Sequence, residues 1–176
     1  MFYKKEQLRK ISIKKRLNML NNGLIDGISS LIVKKIINST DFIKAKNIAL
    51  YYPIKGEVSL LELLNIKNKN YYFPKCSDND LEFIKYCNDF KKDKYNIPIP
   101  TGNPINPKIL DIIYTPSLAA NSKNYRLGYG KGFYDRFFSK RNLKAKKIIV
   151  LSHEFKDIEF REDEFDVKYD GIISDK

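Results

Sequence analysis

The stretch from residue 124 to residue 136 organises this chain, and it reads Asn124-Tyr125-Arg126-Leu127-Gly128-Tyr129-Gly130-Lys131-Gly132-Phe133-Tyr134-Asp135-Arg136. Three of the chain's 8 glycines fall within five positions here. Glycine lets backbone N–H groups approach a ligand without a Cβ in the way. Placed where a helix begins, such donors suit an anion. Lys131 adds a point charge, and Asp135 is a candidate ligand for a metal ion that a polyphosphate brings with it.

Glycine spacing by itself leaves a structural turn as the alternative to phosphate binding. A Walker A loop would need glycine at Tyr125 and Ser or Thr after Lys131, and neither is present. The dinucleotide-binding fingerprint is also absent, because the spacing here is G-x-G-x-G.

Around this stretch, short β-prone runs alternate with helical patterns. We expect strands at 47–52, 71–75, 81–86, 109–115, 147–151 and 171–173. We expect helices at 3–20, from 24 to about 37, and directly after the glycines, with loops at 87–108 and 117–127. This order predicts an α/β fold: one domain over residues 1–176, built in three layers with a mostly parallel central sheet and helices on both faces.

The first two helices carry distinct stripes. In the first helix, the apolar residues near helical spacing are Leu8, Ile11, Leu17 and Leu20. A polar stripe on the same helix consists of Lys5, Arg9, Ser12 and Arg16. That stripe is either a solvated basic face or a face laid alongside an anionic ligand. The second helix has a predicted core face of Ile25, Ile28, Ile32 and Ile36.

Glu57 follows the first predicted strand, which Pro53 ends. Open α/β sheets bind their ligands outside the carboxyl ends of the strands, so this carboxylate is a candidate ligand contact. The alternative is a charge at the N-terminus of a helix over residues 59–64. Sequence pattern alone does not decide between them.

Composition narrows the class of protein. Hydrophobic residues make up 43% of the chain and aromatic residues 13%, which favours a folded globule. We find neither a signal peptide nor an apolar run of roughly 18 residues, so we expect a cytoplasmic protein without membrane contact. Cys76 and Cys87 form no CxxC pair, and the single histidine, His153, excludes a histidine-based metal cluster. The net charge of +12 reflects either a polyanionic partner or merely AT-rich codon usage, which favours lysine.

The full string 126–136 is far more specific than its glycines, and it closely resembles the RLGYGKGYYDR signature of the 5-formyltetrahydrofolate cyclo-ligase family, also called methenyltetrahydrofolate synthetases. Other matching segments are Lys5–Arg9 with Arg16, Tyr52-Pro53 with Glu57, Phe73–Lys75, Asp111–Ile113 with Pro116, Asp166-Val167 and Asp170–Ile173. The chain departs from the family pattern at Pro116–Asn121, Ile99, Lys156 and Phe165.

The resemblance implies ATP- and magnesium-dependent cyclisation of 5-formyltetrahydrofolate to 5,10-methenyltetrahydrofolate, with release of ADP and phosphate. It implies an ATP site made of Lys5, Arg9, Arg126, Gly128, Tyr129, Gly130, Lys131, Gly132, Phe133, Tyr134 and Asp135. The implied folate contacts are Tyr52, Glu57, Tyr129 and Tyr134, and the tyrosines are equally compatible with plain core packing. Lys131, Arg126 and Glu57 would be catalytic, and Asp135 would be the magnesium ligand.

The resemblance implies that the protein is a monomer whose partners are its small-molecule substrates, ATP and 5-formyltetrahydrofolate, with no nucleic acid. Two rival functions remain open on the sequence. The net charge, with aromatic residues near lysines, is also typical of an RNA-binding module, although Asp135 would repel a phosphate backbone without a metal ion. The second rival is an ATP-dependent kinase or ligase with another acceptor.

Overall fold

The computed structural model describes residues 4–77 and 80–176. Its α-helices are α1 (Lys5–Asn21), α2 (Leu24–Ile37), α3 (Thr40–Lys44) and α4 (Phe133–Ser139). Short 3-10 helices occupy Leu61–Asn65, Pro107–Ile109 and His153–Phe155. The strands are β1 (Asn47–Ala49), β2 (Asn70–Ser77), β3 (Asp80–Lys85), β4 (Phe90–Lys92), β5 (Pro98–Pro100), β6 (Ile112–Pro116), β7 (Ala119–Ala120), β8 (Arg126–Leu127), β9 (Lys146–Val150) and β10 (Gly171–Ile173).

A six-stranded sheet forms the centre, in the order β10-β9-β6-β1-β2-β3. Every neighbouring pair in it is parallel except β2 with β3, which is antiparallel at one edge. The predicted mostly parallel sheet is therefore confirmed. Its strands are shorter than predicted at two places, since β1 ends at Ala49 and β6 begins at Ile112.

Successive residues of the central strands point to opposite faces of the sheet and enter two separate cores. Ile48 and Ile112 pack with α2 and α3, whereas their neighbours Ala49 and Ile113 pack with α4 and the start of α1. Because helices cover both faces, the predicted three-layer α/β architecture is confirmed. No helix in the described ranges is long and apolar enough to cross a membrane.

The helix α1 buries the opposite stripe from the one that hydrophobicity predicts. Its predicted apolar face is wrong beyond Leu8, because Ile11 is 43% exposed and Leu20 is 44% exposed. Ser12 and Arg16 are buried instead. The predicted start at residue 3 lies outside the described residues. The predicted face of α2 is confirmed, with Ile25, Ile32 and Ile36 buried and Ile28 packed against them.

Two segments predicted as loops contain small β-hairpins instead. Within 87–108, β4 and β5 pair in an antiparallel ribbon whose turn is held by Asp93 Oδ1, which accepts from the amides of Tyr95 (2.8 Å) and Ile97 (2.9 Å). Within 117–127, β7 and β8 pair around a turn in which Asn121 Oδ1 accepts from Lys123 and Tyr125 amides. Pro98 and Pro100 concealed the first hairpin, since proline is tolerated where a strand lies at an edge.

Gly56 marks where the loop after β1 meets α1, and it supports a prediction about stability. Its φ is +73°, and a Cβ would lie 2.9 Å from the carbonyl oxygen of Arg16. We expect Gly56→Ala to lower the free energy of unfolding by about 2 kcal/mol or more. Gly27 is the matched control, because it lies in α2 with nothing within 4 Å of a Cβ. Gly27→Ala should raise stability by about 0.5–1 kcal/mol, and urea unfolding of both variants measures the difference. A Gly56→Ala variant with the stability of the wild type would show that the loop can move away from α1.

Candidate active site

A cleft of about 640 Å³ opens beyond the carboxyl ends of β1 and β6. This is the position at which open α/β sheets bind their ligands, and the volume suits a small organic ligand. Every site residue that the sequence predicted lines this cleft: Lys5, Arg9, Tyr52, Glu57, Arg126, Gly128, Tyr129, Gly130, Lys131, Gly132, Phe133, Tyr134 and Asp135. The fold thus brings them together from α1, the loop after β1 and the glycine stretch, while their individual roles stay predictions.

The glycine stretch crosses the cleft in a conformation that larger residues would obstruct. Gly130 has φ +94°, in the left-handed region, and Gly132 (φ +65°) is the N-cap of α4. At Gly128 a Cβ would lie 2.7 Å from a guanidinium nitrogen of Arg126. The backbone N–H groups of residues 128–132 donate no hydrogen bond to any other described residue. They therefore form a run of donors available to an anion.

Arg126 is fixed from three sides beside these donors. Its guanidinium donates to the Pro116 carbonyl at 3.1 Å, lies 3.6 Å from an Asp135 carboxylate oxygen, and sits 5.1 Å from the centroid of the Tyr134 ring. Burial raises the pKa of the Tyr134 phenol, so Tyr134 stays neutral at physiological pH. Arg126 is thus a preorganised positive charge, and Asp135 is its counter-ion.

The start of α1 reaches the same end of the cleft. Arg9 donates from Nε to the Gly128 carbonyl at 2.9 Å, which ties α1 to the glycine stretch. Lys5 forms ion pairs with Asp163 at 2.7 Å and with Asp166. Burial alone would lower the pKa of Lys5, but the two carboxylates outweigh it and raise that pKa.

Asp163 and Asp166 line the cleft and were missed as site residues by sequence reasoning. They belong to the acidic segment between β9 and β10, which reads as a solvated run. The available signal was the closing family pattern that begins at Asp166.

Lys131 differs from the neighbouring cations in its surroundings. Its side chain is exposed at the cleft, and its ammonium group has no hydrogen bond or ion pair with the described part of the chain. An ammonium group in this state can engage a phosphate without first giving up a partner.

Glu57 also lines the cleft, and its carboxylate is buried, with a side chain only 5% exposed. Its Oε2 accepts from the Ile54 amide at 3.0 Å, and its Oε1 lies 3.8 Å from Arg16. Burial raises the pKa of Glu57 to about 7, although Arg16, the Ile54 amide and Arg126 each oppose that rise. Such a carboxyl group exchanges its proton near neutral pH, which suits proton transfer. The alternative of a charge at a helix N-terminus is wrong, because the 3-10 helix begins only at Leu61.

Aromatic side chains contribute further walls of the cleft. Tyr52, Tyr129 and Tyr134 are among its lining residues, and aromatic rings are suited to packing against a planar ligand. The β4–β5 hairpin contributes a further wall residue, Tyr95, whose ring packs edge-on against Phe133 with centroids 5.9 Å apart. Tyr95 was missed because its segment reads as a proline-rich loop.

The residues around Asp135 fit a magnesium ion that arrives with a polyphosphate better than a resident metal. Among residues 4–77 and 80–176, no group of three or more His, Cys, Asp or Glu side chains could hold a metal ion. Magnesium usually combines one or two carboxylates with phosphate oxygens and water. Asp135 lines the cleft, with one oxygen 3.6 Å from Arg126 and the other 3.4 Å from the Val167 amide, so it could supply one carboxylate ligand to such an ion.

The buried carboxyl group predicts a stability that depends on pH. A carboxyl whose pKa is raised by folding contributes stability below its unfolded pKa, and that stability is lost as pH rises through the folded value, here about 7. We expect Glu57→Gln to match the wild type near pH 4.5 and to exceed its free energy of unfolding by about 3 kcal/mol at pH 8. Urea unfolding at several pH values measures this, with the exposed Glu62→Gln as control. A difference that does not change with pH would contradict the assigned burial cost.

The chain was compared with known proteins. The model of the 5-formyltetrahydrofolate cyclo-ligase family matches residues 2–174, and the chain belongs to this family. A 5-formyltetrahydrofolate cyclo-ligase of Mycoplasma genitalium is 34% identical over 96% of this chain and 96% of that protein. The enzyme of that name from Haemophilus influenzae is 33% identical over 73% of this chain and 74% of its own length.

Solved structures agree with this assignment. The 5,10-methenyltetrahydrofolate synthetase of Aquifex aeolicus has a TM-score of 0.85 at 30% identity and covers 98% of this chain and 90% of its own. The synthetase of Mycoplasma pneumoniae has a TM-score of 0.77 at 29% identity, covering 99% and 100%. The fold and the family inferred from the sequence are thus confirmed.

Proposed function

We infer that this chain is a 5-formyltetrahydrofolate cyclo-ligase, which closes 5-formyltetrahydrofolate to 5,10-methenyltetrahydrofolate and converts ATP to ADP and phosphate. One observation carries the assignment. Backbone donors and a lysine that have no partner among the described residues, together with a buried carboxyl group with a pKa of about 7, line one cleft in a chain of this family.

The reaction needs an activated oxygen, because the formamide oxygen is a poor leaving group. The γ-phosphoryl group moves from ATP to the formyl oxygen, so that one P–O bond forms as the bond to ADP breaks. The lone pair of N10 then attacks the formyl carbon. The C–O bond breaks, phosphate departs with the former formyl oxygen, and N10 loses its proton.

The glycine end of the cleft supplies what the phosphoryl transfer requires. Phosphoryl transfer asks a protein for positioning and for neutralisation of charge on the phosphate oxygens. The N–H groups of residues 128–132 would hold the phosphates, with Lys131 and Arg126 offsetting the charge that moves during transfer. Lys5 and Arg9 would approach the nucleotide from α1. Asp135 would hold magnesium, which supplies further charge neutralisation when bound.

Glu57 marks the folate end. In its ionised form it would accept the N10 proton, and in its protonated form it would donate to the formyl oxygen. Tyr52, Tyr129 and Tyr134 would pack against the pterin ring. This division places the two substrates end to end, with the formyl oxygen between Glu57 and the glycine stretch.

The deciding experiment is an absorbance assay with purified protein, ATP, magnesium and 5-formyltetrahydrofolate. We expect the methenyl chromophore to develop, with one ADP formed for each product. ATP turnover without the chromophore would instead favour a kinase or ligase with another acceptor. RNA affinity with a steep salt dependence and no folate-dependent ATP turnover would favour the RNA-binding module.

The monomeric state, the cytoplasmic location and the absence of nucleic acid partners are part of the proposal. They follow from the reading of the sequence as a small-molecule enzyme. Chromatography with light scattering tests the first of them directly.

A further inference from the structure

Arg16 lies beside the cleft, in contact with the cleft residues Tyr129 and Glu57, and no role was predicted for it among the site residues. It stands on the polar stripe of α1, two turns beyond Arg9, and its side chain is only 4% exposed. Burying a guanidinium group is costly unless nearby groups compensate for it. The arrangement around Arg16 therefore calls for an explanation from its contacts.

These contacts join three separate segments. One terminal nitrogen donates to the Ser117 carbonyl at 3.3 Å, in the loop after β6. The other donates to the Tyr129 hydroxyl within the glycine stretch and lies 3.8 Å from Oε1 of Glu57. A single terminal nitrogen thus faces both the phosphate-binding segment and the folate-side carboxyl group.

The backbone of α1 adds a second link to the same loop. The Arg16 carbonyl oxygen is the atom that a Cβ at Gly56 would approach to 2.9 Å. The residue before Glu57 is therefore packed directly on α1. Both the side chain and the main chain of Arg16 fix where the Glu57 carboxyl group lies.

We propose that Arg16 is a positioning residue that couples the ATP half of the site to the folate half, by holding Tyr129 and Glu57 in one fixed relation. The proposal rests on the function inferred above. When phosphate oxygens engage the amides of residues 128–130, Tyr129 is fixed, and with it the guanidinium that faces Glu57. ATP binding thus holds the Glu57 carboxyl group in the position at which it meets the folate.

The charged groups around Glu57 determine how its pKa responds to the loss of Arg16. The groups that face it from the packed elements are Arg16 of α1, Arg126 of β8, Lys55 of its own loop and the phenols of Tyr51, Tyr129 and Tyr134. Arg16 is the nearest of the cations and opposes the rise in the Glu57 pKa more than the others. Loss of its charge must move that pKa further upward.

The test compares Arg16→Gln and Arg16→Lys with Lys15→Gln, which removes a charge from an exposed position on the same helix. The first readout is kcat/KM for 5-formyltetrahydrofolate against pH, which reports the free enzyme's essential groups. We expect the acid limb, near pH 7 in the wild type, to rise by about one pH unit in Arg16→Gln. Lysine keeps a charge beside Glu57, so Arg16→Lys should hold the wild-type limb, as should Lys15→Gln.

The second readout is folate affinity with and without a non-hydrolysable ATP analogue and magnesium. We expect the analogue to tighten folate binding about fivefold in the wild type and in Lys15→Gln. A lysine cannot reach Ser117, Tyr129 and Glu57 together, so Arg16→Lys should lose this coupling while its acid limb stays in place.

Two outcomes overturn the proposal. One is an acid limb in folded Arg16→Gln that matches the wild type, and the other is full coupling in Arg16→Lys. If Arg16→Gln does not fold, the coupling measured in Arg16→Lys still decides. A wild type that forms no methenyl product would instead refute the proposed function, so the two failures are distinguishable.

Discussion

Replacing Lys131 with alanine should reduce kcat/KM for ATP on the order of 10³-fold while leaving the fold intact. The size follows from its position, since Lys131 is the cation at the cleft that no described residue engages, whereas Lys5 and Arg126 already have carboxylate partners. Lys5 and Arg126 would have to give up these partners in order to replace it. The methenyl absorbance assay under varied ATP measures the effect.

The control for Lys131 is Lys144→Ala, which removes an exposed lysine before β9. That variant should keep wild-type kinetics. Thermal unfolding of both variants should differ little from the wild type, because neither side chain is buried. Wild-type activity in Lys131→Ala would refute the phosphate-binding role of the glycine stretch.

Glu57→Gln should lower kcat/KM for 5-formyltetrahydrofolate about 10²-fold and leave KM for ATP within about threefold. Glutamine keeps the size of the side chain but cannot take up a proton. The loss should therefore appear in kcat/KM for 5-formyltetrahydrofolate and not in KM for ATP. Since the carboxyl group has a pKa of about 7, the wild-type rate should also rise between pH 6 and pH 8, and the variant should lack that rise.

The same substitution should stabilise the protein at pH 8, as predicted above, so activity and stability should change in opposite directions. Glu62→Gln serves as control for both measurements. An equal loss of kcat/KM for ATP and for 5-formyltetrahydrofolate would show that Glu57 supports the whole site. That result would contradict its assignment to the folate-binding part of the cleft.

Much of the fold could be predicted because successive residues of the central strands point to two buried faces. Each strand therefore appears in the sequence as a continuous hydrophobic run, such as Ile112 followed by Ile113. The hairpin formed by β4 and β5 could not, because its turn depends on Asp93 and its strands contain prolines that usually indicate a loop. A sequence pattern reveals a strand through its buried hydrophobic residues, and this hairpin has few of them.

The glycine stretch and Glu57 could be predicted as candidate site residues, because a glycine-rich turn suits a phosphate and because Glu57 follows a strand end, where open α/β sheets bind ligands. Asp163 and Asp166 were not, because an acidic run has the same composition whether it is solvated or paired with Lys5. Arg16 was visible only as a member of the polar stripe of the first helix and of a segment that matches the family pattern. What makes it notable is its burial between two loops that are distant in sequence, at 57 and 129.

The inverted burial of α1 has a consequence for how this protein tolerates change. A helix that turns Arg16 and Ser12 inward and leaves Ile11 and Leu20 outside buries only part of its aliphatic surface on folding. Its attachment therefore also depends on polar contacts beside the cleft. Sequence change on this helix should run against the usual rule, with its exposed aliphatic positions free to vary and its buried polar positions held constant by selection for catalysis.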